Sequence, residues 1–217
     1  MSRERIRPTR EQTRQRLFEA AAEVFAAQGI GAATVEAITL AAGLTRGAFY
    51  SNFADKDELI DAMLADHLER SNPPYLELLA KNQTPADYLA ALRALDRGGP
   101  DPLSRSPLLY VEVLMHEART PSRRLESAQL LAARRQLVAD IIEGIGLATD
   151  SGGPFDASQL AGMLLAMEDG FRLHRLIDPD ATPADSFVRS LDALWAALRP
   201  ALDLPRTFSA ARQRLLK

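Results

Sequence analysis

An all-α protein is predicted: a three-helix helix-turn-helix head over residues 1–56, then a helical bundle over residues 57–217, about nine or ten helices in all. Three observations predict it. No segment sustains the period-two alternation of a half-buried strand. Capping residues and glycine or proline stops recur along the chain. Between those signals apolar residues repeat at steps of three and four, the spacing of one helix face.

The elements follow in order. Thr9 followed by Gln12 is a capping-box pattern that opens the first helix, and Gly29 ends it. Leu17, Ala20, Ala21, Val24 and Phe25 form its apolar stripe. Thr34 caps a short second helix with Val35 and Ile38 inward, ending near Ala42-Gly43, and a third short helix carries Leu44, Ala48 and Phe49 on one side. Asp55 with Glu58 opens a fourth that runs to about Arg70 and closes at Pro73-Pro74. Thr84-Pro85, Ser106-Pro107, Thr120-Pro121 and Thr182-Pro183 each put a capping hydroxyl before a proline suited to a first helical turn. Asp156 starts a helix that stops before Asp178-Pro179, whereas residues 96–105 and 148–155 read as loops.

Composition removes whole function classes. The 217 residues are 47% apolar and 25% charged, enough for a buried core without a covalent staple. With no cysteine there is no disulfide framework, thiolate metal site or cysteine nucleophile. His67, His116 and His174 are scattered, so neither a metal site nor a cofactor is expected. No nucleophile elbow or phosphate-cradling loop occurs, and Glu168 and Asp169 diverge by about 100° around a helix, so no catalytic residue is assigned. No apolar run spans a membrane, and a cytoplasmic location is expected. Charge is uneven: residues 1–16 hold six arginines against two glutamates, while the remainder is acidic. Arg3, Arg5 and Arg7 suit a polyanion-binding arm or, equally, a solvated tail.

The stretch Thr34 to Phe53 carries the most information. Two helices of about seven residues are unstable alone and must pack on each other and on the first helix. Gly43 permits the sharp turn between them. The second of the pair can enter a major groove. Its outward residues Thr45, Arg46, Tyr50, Ser51 and Asn52 reach far enough, and Gly47 allows close approach. Arg46 can donate twice to guanine O6 and N7, Tyr50 and Asn52 suit phosphate oxygens, and Lys56 adds charge beside them.

The run AAGLTRGAFYSNFADKDEL, residues 41–59, and the preceding FEAAAEVFAAQGIGAATVEAI, residues 18–38, closely resemble the DNA-binding head of TetR-type transcriptional regulators. The resemblance covers about residues 10–60; beyond them it is one of size and helical organisation. It implies that Thr34 meets a phosphate, that Thr45, Arg46 and Gly47 face base edges, that Tyr50 and Asn52 grip the backbone, and that Lys56 clamps a further phosphate. Asn52 departs from the histidine or tyrosine often found there, which weakens that one assignment.

The body is read as a ligand-binding and dimerisation domain. Leu160, Leu164 and Gly170 on helix 156–177, with Leu191, Leu194, Trp195 and Leu198 on helix 183–198, resemble the family's dimer-forming helices; two ordinary core helices are the alternative. Tyr110, Met115, His116, Met163, Met167, Phe171 and His174, with Trp195, are candidate lining for a hydrophobic or aromatic effector, although such a stripe is more often core. Glu168 and Arg172, four apart, read as a surface pair. Together these features predict a homodimeric regulator, a repressor that binds a palindromic DNA operator and is released by a small effector. An activator on the same fold, and a helical binding protein without DNA affinity, are the other readings.

Overall fold

The computed structural model describes residues 9–82, 84–95, 99, 101–145 and 156–198, which form eleven helices and no strand. In order these are α1 (Arg10–Ala32), α2 (Val35–Ala41), α3 (Arg46–Tyr50), α4 (Lys56–Ser71), α5 (Pro73–Lys81), α6 (Pro85–Ala94), α7 (Pro102–Arg105), α8 (Pro107–Arg119), α9 (Arg124–Gly144), α10 (Ala157–Ile177) and α11 (Ser186–Leu198). The chain packs as two units. The first contains α1–α3, α4 as far as His67, α7 and α8; the second contains the end of α4, α5, α6, α10, α11 and α9 from Leu125 onward. Arg3, Arg5, Arg7 and the loop expected at 148–155 lie outside the described residues, as do the side chains of Trp195 and Leu198.

Local signals explain the first unit. The capping box of α1 is complete: the Gln12 N–H donates to Thr9 Oγ1 at 3.1 Å and the Thr9 N–H to Gln12 Oε1 at 2.9 Å. Gly29 at φ 76° breaks the helix where a stop is predicted, and a further turn carries it to Ala32. At the α2–α3 turn Gly43 has φ 62°, and Arg16 of α1 donates to the preceding Ala42 carbonyl at 2.7 Å. A Cβ on Gly43 would sit 3.4 Å from that guanidinium, so conformation and space both favour glycine. Phe18, Phe49 and Phe53 pack with centroids 5.8–5.9 Å apart, and the Arg14 guanidinium covers the Phe53 ring at 4.7 Å. Burying each phenyl stabilises the unit by about 1.5–3 kcal/mol, which outweighs the poor intrinsic stability of the five-residue α3. α7 and α8 complete this core against α1, with Leu103, Tyr110 and Val113 buried.

Two helices lie outside the sequence expectation. Pro73 opens α5 as well as following α4, because a proline occupies the first helical position without losing a hydrogen bond. Within the expected loop 96–105, Asp101 caps the single turn α7, accepting from the Leu103 and Ser104 N–H groups at 3.0 Å each. Thr84 and Ser106 cap α6 and α8 as predicted. Pro121 and Pro183 instead sit in turns, and α9 and α11 begin three residues later. Asp156 and Gln159 form a full capping box at α10, which ends at Ile177.

The second unit has its own interior. Leu79, Tyr88, Leu89, Leu92, Ile141 and Ile145 cluster between α5, α6 and the end of α9. A smaller cluster joins Ala139 and Ile142 of α9 to Ala157 and Ala161 of α10. Among the described residues no helix is long and apolar enough to cross a membrane.

Candidate functional site

α2 and α3 present one polar face. Thr34 and Thr45 cap their helices, accepting from the Ala37 and Ala48 N–H groups at 3.1 Å each, and both hydroxyls remain at the surface. Capping therefore orients the hydroxyls assigned to DNA contact without burying them. Arg46 is exposed; its Nη1 lies 2.8 Å from Glu36 Oε1 of α2, and its guanidinium carbon is 5.8 Å from the centre of the Tyr50 ring. Tyr50 packs edge-on against buried Phe49, which sets the ring at the surface one turn beyond Arg46. A Cβ on Gly47 would meet no neighbour closer than Thr45 Oγ1 at 3.8 Å, so the space beside it is open. Thr34, Thr45, Arg46, Gly47 and Tyr50 thus share an accessible surface.

Asn52 and Lys56 are held differently. Asn52 is buried, and its Nδ2 donates to the Ala48 carbonyl at 2.8 Å and to Ser51 Oγ at 3.2 Å. Its amide closes the C-terminal end of α3, where carbonyls lack partners, instead of turning outward. Lys56 Nζ donates to the Ile30 and Ala33 carbonyls at 2.7 and 2.9 Å, tying the start of α4 to the end of α1. Both side chains assigned to phosphate contact are occupied by internal carbonyls.

A polar cluster of the first unit escaped the sequence reading. Buried His67 Nδ1 lies 3.0 Å from Asp101 Oδ1 and 3.3 Å from Ser104 Oγ, with the Tyr110 ring 5.1 Å away. Burial pushes the Asp101 carboxyl up. Hydrogen bonds from His67 and Ser104, the charge of His67 and the Ser104 N–H outweigh it and hold the group below the usual carboxylate range. Serine and carboxylate meet the same ring nitrogen, so no relay runs from hydroxyl through imidazole to acid, and the cluster is a structural tie. The Asp101-Pro102 pair, a cap before a proline, was the available signal for it.

The second unit contains a largely apolar cavity that is partly open to solvent. Tyr75 of α5, Tyr88 and Leu89 of α6, Ile141 of α9, Leu165 of α10 and Phe187 of α11 give it apolar walls. Its charged lining is Arg134 and Glu168, 3.3 Å apart, with side chains only 9% and 13% exposed. Glu168 also lies 3.6 Å from Arg172, so the expected surface pair is part of a largely buried network. Burial pushes the Tyr88 phenol up, with a further contribution from Tyr75.

None of the residues assigned to ligand binding lines this cavity. Tyr110 is buried in the first unit, His116 Nε2 is 3.1 Å from Asp57 of α4, and Met115 is exposed. On α10, Met163 and His174 are exposed, and Met167 and Phe171 are half-buried. The seam expected on that helix resolves into two faces. Ala157, Ala161, Leu164 and Glu168 turn inward, while Met163, Gly170, Leu173 and Ile177 follow an outward stripe at helical spacing. Leu160, Leu164 and Leu191, assigned to the dimer interface, pack into the unit's own interior. Leu194 is exposed, and a Cβ on Gly170 would meet nothing within 4 Å.

Comparison with known proteins gives this arrangement a family. A profile described as "Bacterial regulatory proteins, tetR family" matches residues 17–63, which span most of α1 and all of α2 and α3. The HTH-type transcriptional regulator SrpR of Pseudomonas putida is 33% identical over 127 residues, 58% of this chain and 57% of that protein's length. TtgW, also of Pseudomonas putida and described as an uncharacterized HTH-type transcriptional regulator, is 32% identical over 126 residues, 58% of this chain and 90% of its own. The crystal structure of the transcriptional regulator FadR from Bacillus subtilis in complex with stearoyl-CoA shares the fold, with a TM-score of 0.64 at 18% identity over 86% of this chain and 98% of that one. With the helix-turn-helix head matched in sequence and nine-tenths of one relative covered, the chain is a transcriptional regulator of the tetR family.

Proposed function

We propose that the protein is a homodimeric repressor that binds a palindromic DNA operator through α2 and α3 and leaves it when a small organic effector fills the cavity of the second unit. The observation that carries this reading is the shared exposed face of Thr34, Thr45, Arg46, Gly47 and Tyr50, stiffened from behind by Phe49 and Phe53. A five-residue recognition helix reads few base pairs, so a two-fold dimer reading two half-sites is needed for specificity. The exposed apolar residues on the outward stripe of α10 and Leu194 of α11 support that part of the reading. The cavity supports the effector part of the reading, and the stearoyl-CoA complex of FadR is in line with an organic ligand. Effector and DNA must then weaken each other by the same factor, about 5- to 150-fold for typical couplings.

Selection of bound duplexes from a randomised pool of about 30 base pairs, run beside Arg46→Ala, tests the reading. A two-fold symmetric site is expected. Arg46→Ala should lower affinity for it about tenfold or more and relax one position in each half-site. Failure to enrich any sequence at low salt would show that the head does not read DNA.

A further inference from the structure

The polar lining of the cavity carries an inference about what the cavity accepts; it rests on the reading of that cavity as the effector site. Arg134 and Glu168 supply the charge in the wall, and they answer each other at 3.3 Å with most of each side chain buried. The lining is balanced and offers an ionic head group no spare counter-charge. A charged ligand would shed its water against apolar side chains with little in exchange, which is costly. An uncharged ligand avoids that cost.

One uncharged group in the wall stands apart. Tyr88 of α6 lines the cavity and is only 3% exposed. Its hydroxyl makes no hydrogen bond to any of the described residues, and it is not sealed off among them: it opens on the cavity. Ser71, Asn72 and Tyr75, the other uncharged polar residues of the lining, are half-buried, so solvent can serve them. The Tyr88 ring belongs to the buried cluster with Leu79, Ile141 and Ile145, which holds the hydroxyl at one place. Burial, with Tyr75 contributing, pushes the phenol up, so at neutral pH the oxygen keeps its proton and is a donor. A purely apolar ligand would leave that donor unpaired, whereas a ligand with an acceptor at that point satisfies it. We propose that the effector is an uncharged, mainly apolar organic molecule carrying a hydrogen-bond acceptor such as a carbonyl oxygen, and that the Tyr88 hydroxyl donates to it as the specificity-determining contact.

Calorimetric titration of the full chain at neutral pH with benzophenone, diphenylmethane and 4-benzoylbenzoate, each below its solubility limit, tests this. The first two differ only in a carbonyl against a methylene, and the third adds a carboxylate. Benzophenone should bind about fivefold or more tighter than diphenylmethane, as expected for a hydrogen bond formed to a buried donor. 4-Benzoylbenzoate should bind about tenfold or more weaker than benzophenone. Tyr88→Phe keeps the ring and should bring benzophenone down to the diphenylmethane level, with diphenylmethane within about twofold of its former value. With the carbonyl carbon isotopically labelled, the infrared stretch of bound benzophenone should lie at lower frequency in the unaltered protein than in Tyr88→Phe, the signature of a donated hydrogen bond. Leu137→Trp, which fills the cavity, should abolish binding of all three. Equal binding of benzophenone and diphenylmethane by the unaltered protein, with Leu137→Trp still blocking both, would overturn the Tyr88 inference and leave the cavity as the effector site. A ketone preference or carbonyl stretch that a folded Tyr88→Phe protein leaves unchanged would overturn it as well, and so would tightest binding of 4-benzoylbenzoate. If no probe binds, or if a folded Leu137→Trp protein binds them unchanged, the inference and the cavity reading fail together. The comparison within the unaltered protein does not depend on any variant folding.

Discussion

Arg46 cannot hold Glu36 and a guanine edge at once. In the free protein its guanidinium rests on the Glu36 carboxylate at 2.8 Å and near the Tyr50 hydroxyl at 3.5 Å. Both partners of the ion pair are exposed, so water and salt weaken it, and a bidentate guanine contact displaces it readily. On the proposed reading Glu36 would then be left beside the DNA as an uncompensated negative charge that penalises every duplex, whatever its sequence. Glu36→Gln should consequently raise affinity for an unrelated duplex about two- to fivefold at low salt, with a smaller gain at high salt. The base preference at the Arg46 position should persist. Fluorescence anisotropy with one selected and one unrelated duplex separates these effects. Unchanged or weakened binding to the unrelated duplex would remove Glu36 from the interface. Sequence spacing singled out Arg46 as a candidate contact but not this pairing, because Glu36 lies on a different helix and meets Arg46 only once Gly43 has turned the chain.

At the scale of the element, capping chemistry was the legible part. Thr9, Thr34, Thr84, Ser106 and Asp156 each cap the helix they were expected to start, since a side-chain oxygen that satisfies an orphan N–H acts locally and needs no tertiary partner. Proline was harder to read, because one residue both forbids a helix interior and favours a helix start. Pro73 and Pro102 begin helices, whereas Pro121 and Pro183 lie in turns, and the choice between them depends on packing. Asp101 shows how packing recruits a cap. The same carboxylate starts α7 and holds His67 on α4, so its loss affects two elements of the first unit. Asp101→Asn keeps an acceptor for the cap but removes the charge facing His67, and should destabilise the protein by about 1–3 kcal/mol near pH 6. The sign of the pH dependence follows from the lowered folded value. The charged carboxylate contributes fully above its unfolded value near about 4, and the contribution falls away as pH drops toward the folded value. The gap between the urea midpoints of the two proteins should therefore be widest at pH 6 and narrower, though not closed, at pH 3. A gap that persists undiminished at pH 3 would mean that the tie does not depend on the Asp101 charge.

The arrangement of the whole molecule was least legible where sequentially distant helices meet. Tyr75, Arg134, Glu168 and Phe187 line one cavity although more than a hundred residues separate the first from the last, and no local pattern marks them as neighbours. The Met163–Met167 stripe reads the same whether it faces a core, a ligand or a second copy, because helical spacing fixes the face and not its partner. The two faces of α10 resolve that ambiguity. Its inner face is already occupied by α9 and the cavity, so the outer stripe ending at Ile177, 84% exposed, is apolar surface open to a partner, as is Leu194 of α11, 39% exposed. A second copy presenting the same stripe would cover both, and operator reading by two linked heads would follow from that contact. Leu194→Glu places a charge on the exposed part of α11 without entering either buried cluster. Light scattering should show the unaltered protein as a dimer and Leu194→Glu as a monomer with unchanged helix content. Leu125→Glu alters an apolar residue that is more exposed but lies on α9, and it should stay dimeric. Operator affinity of Leu194→Glu should fall about a hundredfold or more, because the second half-site is no longer delivered at the effective concentration that linkage provides. A Leu194→Glu protein that remained dimeric would move the interface off α11, and a monomer that kept full operator affinity would mean that a single head suffices.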